Sequence, residues 1–269
     1  MAAVRLTVLG CSGSVTGPDS PASGYLLRSE GSPPVVIDFG GGVLGALQRH
    51  VDPRSAVVLL SHLHADHCLD VPGLLVWRRY APGPVGERGL MYGPVGTAHR
   101  IGAASAETPG NIDDISDTID LRTWVEATPV QIGDLTVTPM GVCHPPESFG
   151  LRVTAPDGAI LVYSGDTAIC EDIVELAQGA DVFLCEASWE HDPENNPPGL
   201  HLSGREAGEI AERAGVKRLL LTHIPPWTSR EAVLAEARAA FSGPVHAVSA
   251  DESFDIVPSH VGENVATRS

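Results

Sequence analysis

SHLHADHC, residues 61–68, sets three histidines and an aspartate within six positions, directly after the apolar run Val-Val-Leu-Leu at 57–60. An apolar run of four reads as a short buried strand, so the polar cluster begins where a strand ends. His62 and His64 are two residues apart and project to one side of an extended segment. Asp66 and His67 lie beyond a turn, where they can face a different point in space.

Working outward, the same arrangement recurs. Strands are expected at 4–9, 25–28, 35–37, 57–60, 135–139, 150–154, 160–163, 182–185, 218–221 and 245–248. His144 follows the strand ending near Met140, Asp166 follows 160–163, and His223 follows 218–221. Strand ends bring side chains from distant sequence positions to one rim of a sheet, where binding and catalytic groups concentrate. Imidazoles and carboxylates held there form a nitrogen–oxygen donor set suited to zinc, manganese or iron. One ion with at most four ligands cannot use His62, His64, Asp66, His67, His144, Asp166 and His223 together. Two ions sharing a carboxylate can, and Asp166 is the natural bridge.

Helical patterns are expected at 42–50, 71–79, 171–178, 203–214 and 229–240. Ser203 followed three residues later by Glu206 has the spacing of a capping box. Strands dominate early with helices interspersed, which fits a layered α/β sandwich better than a doubly wound sheet. No repeat or interdomain linker stands out, so one domain is expected over 1–258, followed by a tail at 259–269. The 269 residues carry a formal net charge of −17. That acidity disfavours long RNA or DNA, whose binders carry basic stripes that displace counterions. The chain has no apolar run long enough to span a membrane and no signal-peptide layout at its start. Its five scattered cysteines do not read as a disulfide framework, so a cytoplasmic location is expected.

The ordered ligand set resembles the metallo-β-lactamase-fold hydrolases, whose H-x-H-x-D-H signature is met by His62, His64, Asp66 and His67. The later members match VCH at His144, SGDT at Asp166 and LTH at His223. The resemblance runs from Val4 to about Val257 and implies a four-layer αββα metallo-β-lactamase sandwich. LGCSGSVTGPDSPASGYLL (9–27), VIDFGGG and CEAS resemble motifs of the tRNase Z-like phosphodiesterase branch. So does HLSGREAGEIAERAGVKRLLLTH (201–223). The branch resemblance implies that Asp38 supports the metal ligands from behind, and that Glu186 and His201 form a carboxylate–imidazole pair beside them. It counts His201, Glu186 and Asp66 as catalytic. Ala65 and Asp70 replace glycines usual in that branch. His144 and Asp166 are only 22 positions apart, which leaves no room for the tRNA-gripping arm. The text is most similar to actinobacterial members implicated in hydrolysis of 3′,5′-cyclic AMP.

The resemblance therefore implies a binuclear metal-dependent phosphodiesterase, its substrate a small cyclic nucleotide, with a homodimer left open. Alternatives are a tRNase Z-type nuclease, a lactone, thioester or β-lactam hydrolase, and a non-catalytic nucleotide-binding scaffold. Cys68 and Cys143, beside ligand histidines, read as buried packing residues. Gly10, Gly13, Gly17 and 40–42 read either as a phosphate cradle or as tight turns. Phe149, Trp189 and Trp227 read as base-stacking or as core residues.

Overall fold

Val35, Val36 and Ile37 show how the chain builds its layers. Val35 and Ile37 join one buried cluster and Val36 another, as the two-residue period of a strand requires. A strand apolar on both faces must be covered on both. The computed structural model describes residues 4–83 and 86–259.

Two seven-stranded sheets result. The first contains β1 (Val4–Gly10), β2 (Gly24–Arg28), β3 (Val35–Ile37), β4 (Val57–Leu59), β5 (Gly89–Gly93), β6 (Ile119–Thr123) and, at its other edge, β14 (Ser253–Ile256). Its order is β14-β1-β2-β3-β4-β5-β6. The second contains β7 (Val130–Ile132), β8 (Leu135–Gly141), β9 (Phe149–Thr154), β10 (Ile160–Tyr163), β11 (Val182–Glu186), β12 (Leu219–Thr222) and β13 (Val245–Ala247), in the order β13-β12-β11-β10-β9-β8-β7. The helices are α1 (Val43–Leu47), α2 (Ala65–Cys68), α3 (Val71–Tyr80), α4 (Thr97–Ser105), α5 (Glu171–Ala177), α6 (Gly204–Ala214) and α7 (Arg230–Ala240).

Three apolar clusters define the stacking. Leu6, Tyr25, Ile37 and Leu59 of the first sheet meet Leu151, Leu161, Tyr163 and Leu184 of the second. Leu26, Val36 and Val58 face Leu47, Leu74, Leu75 and Ile101 on α1, α3 and α4. Val162, Phe183 and Leu221 face Ile173, Ile210, Ala211 and Val233 on α5, α6 and α7. The result is the αββα sandwich of the metallo-β-lactamase fold.

The expected capping box is formed: Ser203 accepts from the Glu206 amide and Glu206 accepts from the Ser203 amide. Four strands and two helices were not expected from the sequence. The strands are β5, β6, β7 and β14, and the helices are α2 and α4. β5 holds only Leu90, Met91 and Tyr92 between two glycines, with no β-branched residue, and β6 is an edge strand with a half-exposed, charged face, so neither gives a clear strand signal. Ser259, expected to begin the tail, donates from its amide to Asp181 Oδ1 at 2.9 Å. The rest of that expected tail, from residue 260, lies outside the described residues.

A polar link joins the two sheets in their buried interior. The Tyr25 hydroxyl on β2 and Thr222 Oγ1 at the end of β12 are 2.7 Å apart, and Thr222 is adjacent to His223. Tyr25→Phe removes one partner and leaves a buried hydroxyl unsatisfied, a loss of about 1–3 kcal/mol. Urea unfolding should show a lower midpoint with an unchanged slope.

Candidate metal centre

The turns after β4, β8, β10 and β12 converge at one end of the sandwich. Their side chains form two donor groups, His62, His64, His144 and Asp166, and Asp66, His67, Asp166 and His223. In each group the donor atoms lie within 4.8 Å of one another, and Asp166 belongs to both. Asp66 and His67 sit on α2, a single helical turn that follows the extended His64. A third group joins Glu186 and His201 to His223.

The donor atoms face one another closely. His62 Nε2 is 3.2 Å from His64 Nδ1, which is 3.1 Å from His144 Nε2. His67 Nε2 is 3.1 Å from His223 Nε2 and 3.2 Å from Asp166 Oδ2, and His223 Nε2 is 3.0 Å from Asp66 Oδ2. In a tetrahedral shell with metal–nitrogen bonds of about 2.0–2.1 Å, neighbouring donors sit roughly 3.3 Å apart. Asp166 Oδ1 is buried and has no hydrogen-bond partner among the described residues, a costly condition for a carboxylate oxygen. A divalent cation relieves both the crowding of lone pairs and that orphaned oxygen, so the residues fit a metal.

A surrounding set of bonds fixes which nitrogen each ring offers inward. Asp38, fully buried, accepts from the Ser61 amide (2.7 Å), the Ser61 hydroxyl (2.8 Å), the Tyr163 hydroxyl (2.8 Å) and His67 Nδ1 (2.8 Å). Because Ser61 Oγ gives its proton to Asp38, it accepts from His62 Nδ1 at 3.0 Å. Leu200 O accepts from His144 Nδ1 at 2.6 Å. Ser188 Oγ donates to Glu186 Oε2 (2.8 Å) and accepts from His223 Nδ1 (2.8 Å). Nε2 of these four rings is thereby left unprotonated for a cation, the usual arrangement of metal-bound histidine. His64 alone offers Nδ1. Ser61, Tyr163 and Ser188 were not singled out from sequence. Only the position of Ser61, one residue before the histidine cluster, could have drawn attention to it.

The electrostatics run the same way. Burial pushes His62, His64 and His144 below the ordinary imidazole value, favouring the neutral, ligating form. Burial also opposes charge on Asp166, yet His223, His67 and His62 hold its carboxyl well below the usual range. For His67 burial is outweighed by the Asp166 and Asp38 carboxylates, and its value rises well above normal. The pocket thus demands positive charge among its carboxylates.

His201 lies beside this cluster. Its Nδ1 donates to Glu186 Oε1 at 3.0 Å and is 3.8 Å from Asp166 Oδ2. Glu186 is fully buried and also accepts from the Thr167 amide at 2.8 Å. Burial alone would lower the His201 value, but Glu186 and Asp166 raise it to about 9. Trp189 packs edge-on against the His201 ring, 5.2 Å between centroids.

The remaining sequence candidates divide. Cys68 is buried as expected, but Cys143 is exposed, because the chain leaves β8 before reaching it. Phe149 is core, whereas Trp227 is 67% exposed. A Cβ on Gly13 would overlap the His223 carbonyl, and one on Gly40 the Asp66 carbonyl. These glycines let backbone approach the ligand segments, rather than serving only as turns. Asp38 and His223 both have positive φ, 57° and 56°, a conformation costly for non-glycine residues and concentrated at functional sites.

Comparison with known proteins agrees with this geometry. Residues 35–224 match the family model described as "Beta-lactamase superfamily domain". A Mycobacterium tuberculosis (strain H37Rv) protein described as uncharacterized is 66% identical over 94% of this chain and 92% of its own length. Ribonuclease Z of Mycobacterium bovis (strain BCG) is 31% identical over 83% of this chain and 86% of its own. The crystal structure of the metallo-β-lactamase fold protein YhfI from Bacillus subtilis superposes with a TM-score of 0.80 at 24% identity, covering 94% of this chain and 99% of that one. The chain belongs to the β-lactamase superfamily, within its metallo-hydrolase members and beside the tRNase Z enzymes.

Asp38 touches His67 directly and His62 through Ser61, so it acts on both donor groups. Asp38→Asn should weaken metal binding by about 10–100-fold, read by competition with a chromogenic chelator.

Proposed function

We propose that the protein is a binuclear metal-dependent phosphodiesterase that hydrolyses a 3′,5′-cyclic nucleotide, cyclic AMP to 5′-AMP. The observation that carries this reading is the Glu186–His201 pair set against the shared-carboxylate cluster. His201 would then stand as a proton source beside a site whose bound ions would supply an activated water. His62, His64, His144 and Asp166 would hold one ion, and Asp66, His67, Asp166 and His223 the other. Zinc suits this donor set best, with manganese or iron as alternatives. Bound ions of this kind supply an acidified water and positive charge opposite the phosphate oxygens.

The chain's own groups do the rest. Glu186 fixes His201 through Nδ1, which leaves Nε2 as the nitrogen that gives up a proton. With its value raised to about 9, the ring is imidazolium at neutral pH, ready to protonate the departing ribose oxygen. Help of this kind is worth roughly 10²–10⁴-fold. Thr167 and Ser188 hold both Glu186 oxygens, so the carboxylate cannot swing toward the cations and abandon His201.

Substrate size follows from topology and charge. The 22-position interval between His144 and Asp166 is occupied by β9, β10 and their connecting turn. That supports a substrate that needs no gripping arm. The net charge of −17 supports a ligand with one phosphate, attracted at close range by local cations. The second reading, a tRNase Z-type nuclease, draws on the 31% identity to ribonuclease Z.

Product analysis separates the two readings. With the same metal supplied, 5′-AMP release from cyclic AMP should exceed removal of a pre-tRNA 3′ trailer. Trailer removal without detectable 5′-AMP would reverse the order.

His201→Ala should keep its metal and lose about 10²-fold or more in turnover on cyclic AMP. On a p-nitrophenyl phosphodiester, whose leaving group needs no proton, the loss should be smaller. Equal losses on both substrates would make His201 a stabiliser of phosphate charge instead.

A further inference from the structure

The chain's five cysteines are all free. Cys11, Cys68 and Cys185 are buried, so Cys143 and Cys170 are the two that solvent reaches. Those two are also neighbours in space. Cys143 immediately precedes His144, and Cys170 lies four residues after Asp166. Their thiols are within hydrogen-bonding reach of each other, although they lie 27 positions apart in the chain.

Hydrogen bonds between the two segments bring the sulfurs together. The Ala168 amide donates to Cys143 O at 2.7 Å, and the Cys143 amide donates to Thr167 Oγ1 at 3.2 Å. Thr167 Oγ1 is in turn 3.9 Å from Cys170 Sγ. The segment carrying His144 is thus stitched to the segment carrying Asp166 right beside the thiols. Local structure leaves Cys170 without a task. It is the N-cap residue of α5, yet its side chain makes no capping hydrogen bond, where serine, threonine or aspartate would make one. Among the described residues no third His, Cys, Asp or Glu joins the pair to form a metal-binding group. Two thiols so placed are suited to bonding with each other rather than to holding an ion.

We infer that Cys143 and Cys170 are a reversible disulfide site that braces the two ligand-bearing segments. The site depends on the donor groups and not on which substrate is cleaved. With a peroxide as oxidant, one thiol attacks an oxygen of the O–O bond, giving a sulfenic acid and releasing water. The second thiol displaces the new hydroxyl as a second water. Two S–H bonds are lost, one S–S bond forms, and the peroxide takes up two electrons. Partial burial, Cys170 and Asp172 together raise the Cys143 thiol above its ordinary value, which slows this step, so peroxide in excess is needed rather than air. The loop closed by the bond contains both His144 and Asp166, which belong to one donor group. Tying its ends together limits the opening through which an ion leaves.

The test exposes the full chain, loaded with redox-inert zinc, to excess hydrogen peroxide and maps its cysteine peptides by mass spectrometry. A pair of peptides joined through Cys143 and Cys170 should appear, lighter by two hydrogens than the separate thiols, and dithiothreitol should part them. Cys143→Ser and Cys170→Ser should each abolish the linkage. The oxidised chain should yield its zinc to a chromogenic chelator several-fold more slowly than the reduced chain. Cys143→Ser, treated in the same way, should show no such difference. Thiols that survive oxidation, an unlinked Cys143 sulfinic acid, or a linkage to Cys11, Cys68 or Cys185 overturns the site. A Cys143–Cys170 linkage with an unchanged rate of zinc release overturns the brace.

Discussion

The carboxylate of Asp38 is the point on which the rest of the site depends. It is buried without exposure, a placement that is costly for an anion unless its lone pairs are filled. Four donors fill them, and they come from both halves of the molecule. Ser61 and His67 follow β4 of the first sheet, while Tyr163 ends β10 of the second. One side chain thus sets the spacing of the sheets at the catalytic rim and the tautomers of two histidines. The positive φ of Asp38 is the local cost of aiming that carboxylate inward, and the network around it over-determines the conformation.

A similar logic governs the other side of the centre. Glu186 closes β11 as the last residue of an otherwise apolar strand, and its two oxygens are divided between His201 and Ser188. Through Ser188 it touches His223, and through His201 it reaches the solvent-facing side of the site. The candidate metal ligands and the Glu186–His201 pair are therefore mechanically continuous. Disturbing Glu186 disturbs both, which is why a change at His201 tests the proposed proton transfer more cleanly than a change at the carboxylate.

The legible parts of the fold were those in which one physical signal dominated. Val57–Leu59, Ile160–Tyr163 and Val182–Glu186 are buried on both faces, so an unbroken apolar run marks them. The donor set was legible because a shared carboxylate and closely spaced histidines have few other uses in one chain. Residues 86–132 were not legible. Gly89–Gly93 owes its strand form to neighbours on either side, and Thr97–Ser105 buries only Thr97, Ile101 and Gly102, too few apolar positions to show a helical period. The supporting hydroxyls of Ser61, Tyr163 and Ser188 were invisible for a different reason. Serine and tyrosine occur everywhere, and only three-dimensional proximity to Asp38 or Glu186 distinguishes these. Cys143 was misread as a packing residue because β8 ends at Gly141, two residues before it.

The placement of β14 has a consequence for how the molecule is made. Strands β1 to β6 form one sheet and β7 to β13 the other, but the last strand returns to pair with the first, Val4 opposite Ile256 and Thr7 opposite Ser253. As the chain leaves the ribosome, the first sheet can assemble early with one edge bare. Its outermost strand, β1, exposes unpaired amides and carbonyls until β14 is made, and β14 starts at Ser253, long after β6 ends at Thr123. Bare edges of this kind invite pairing with other chains, and closing so long a loop is slow. Arg5, paired across the finished seam with Asp255 at 3.1 Å, puts a charge on that edge during the wait. The seam that completes the sandwich is also the one that removes the bare edge of the first sheet.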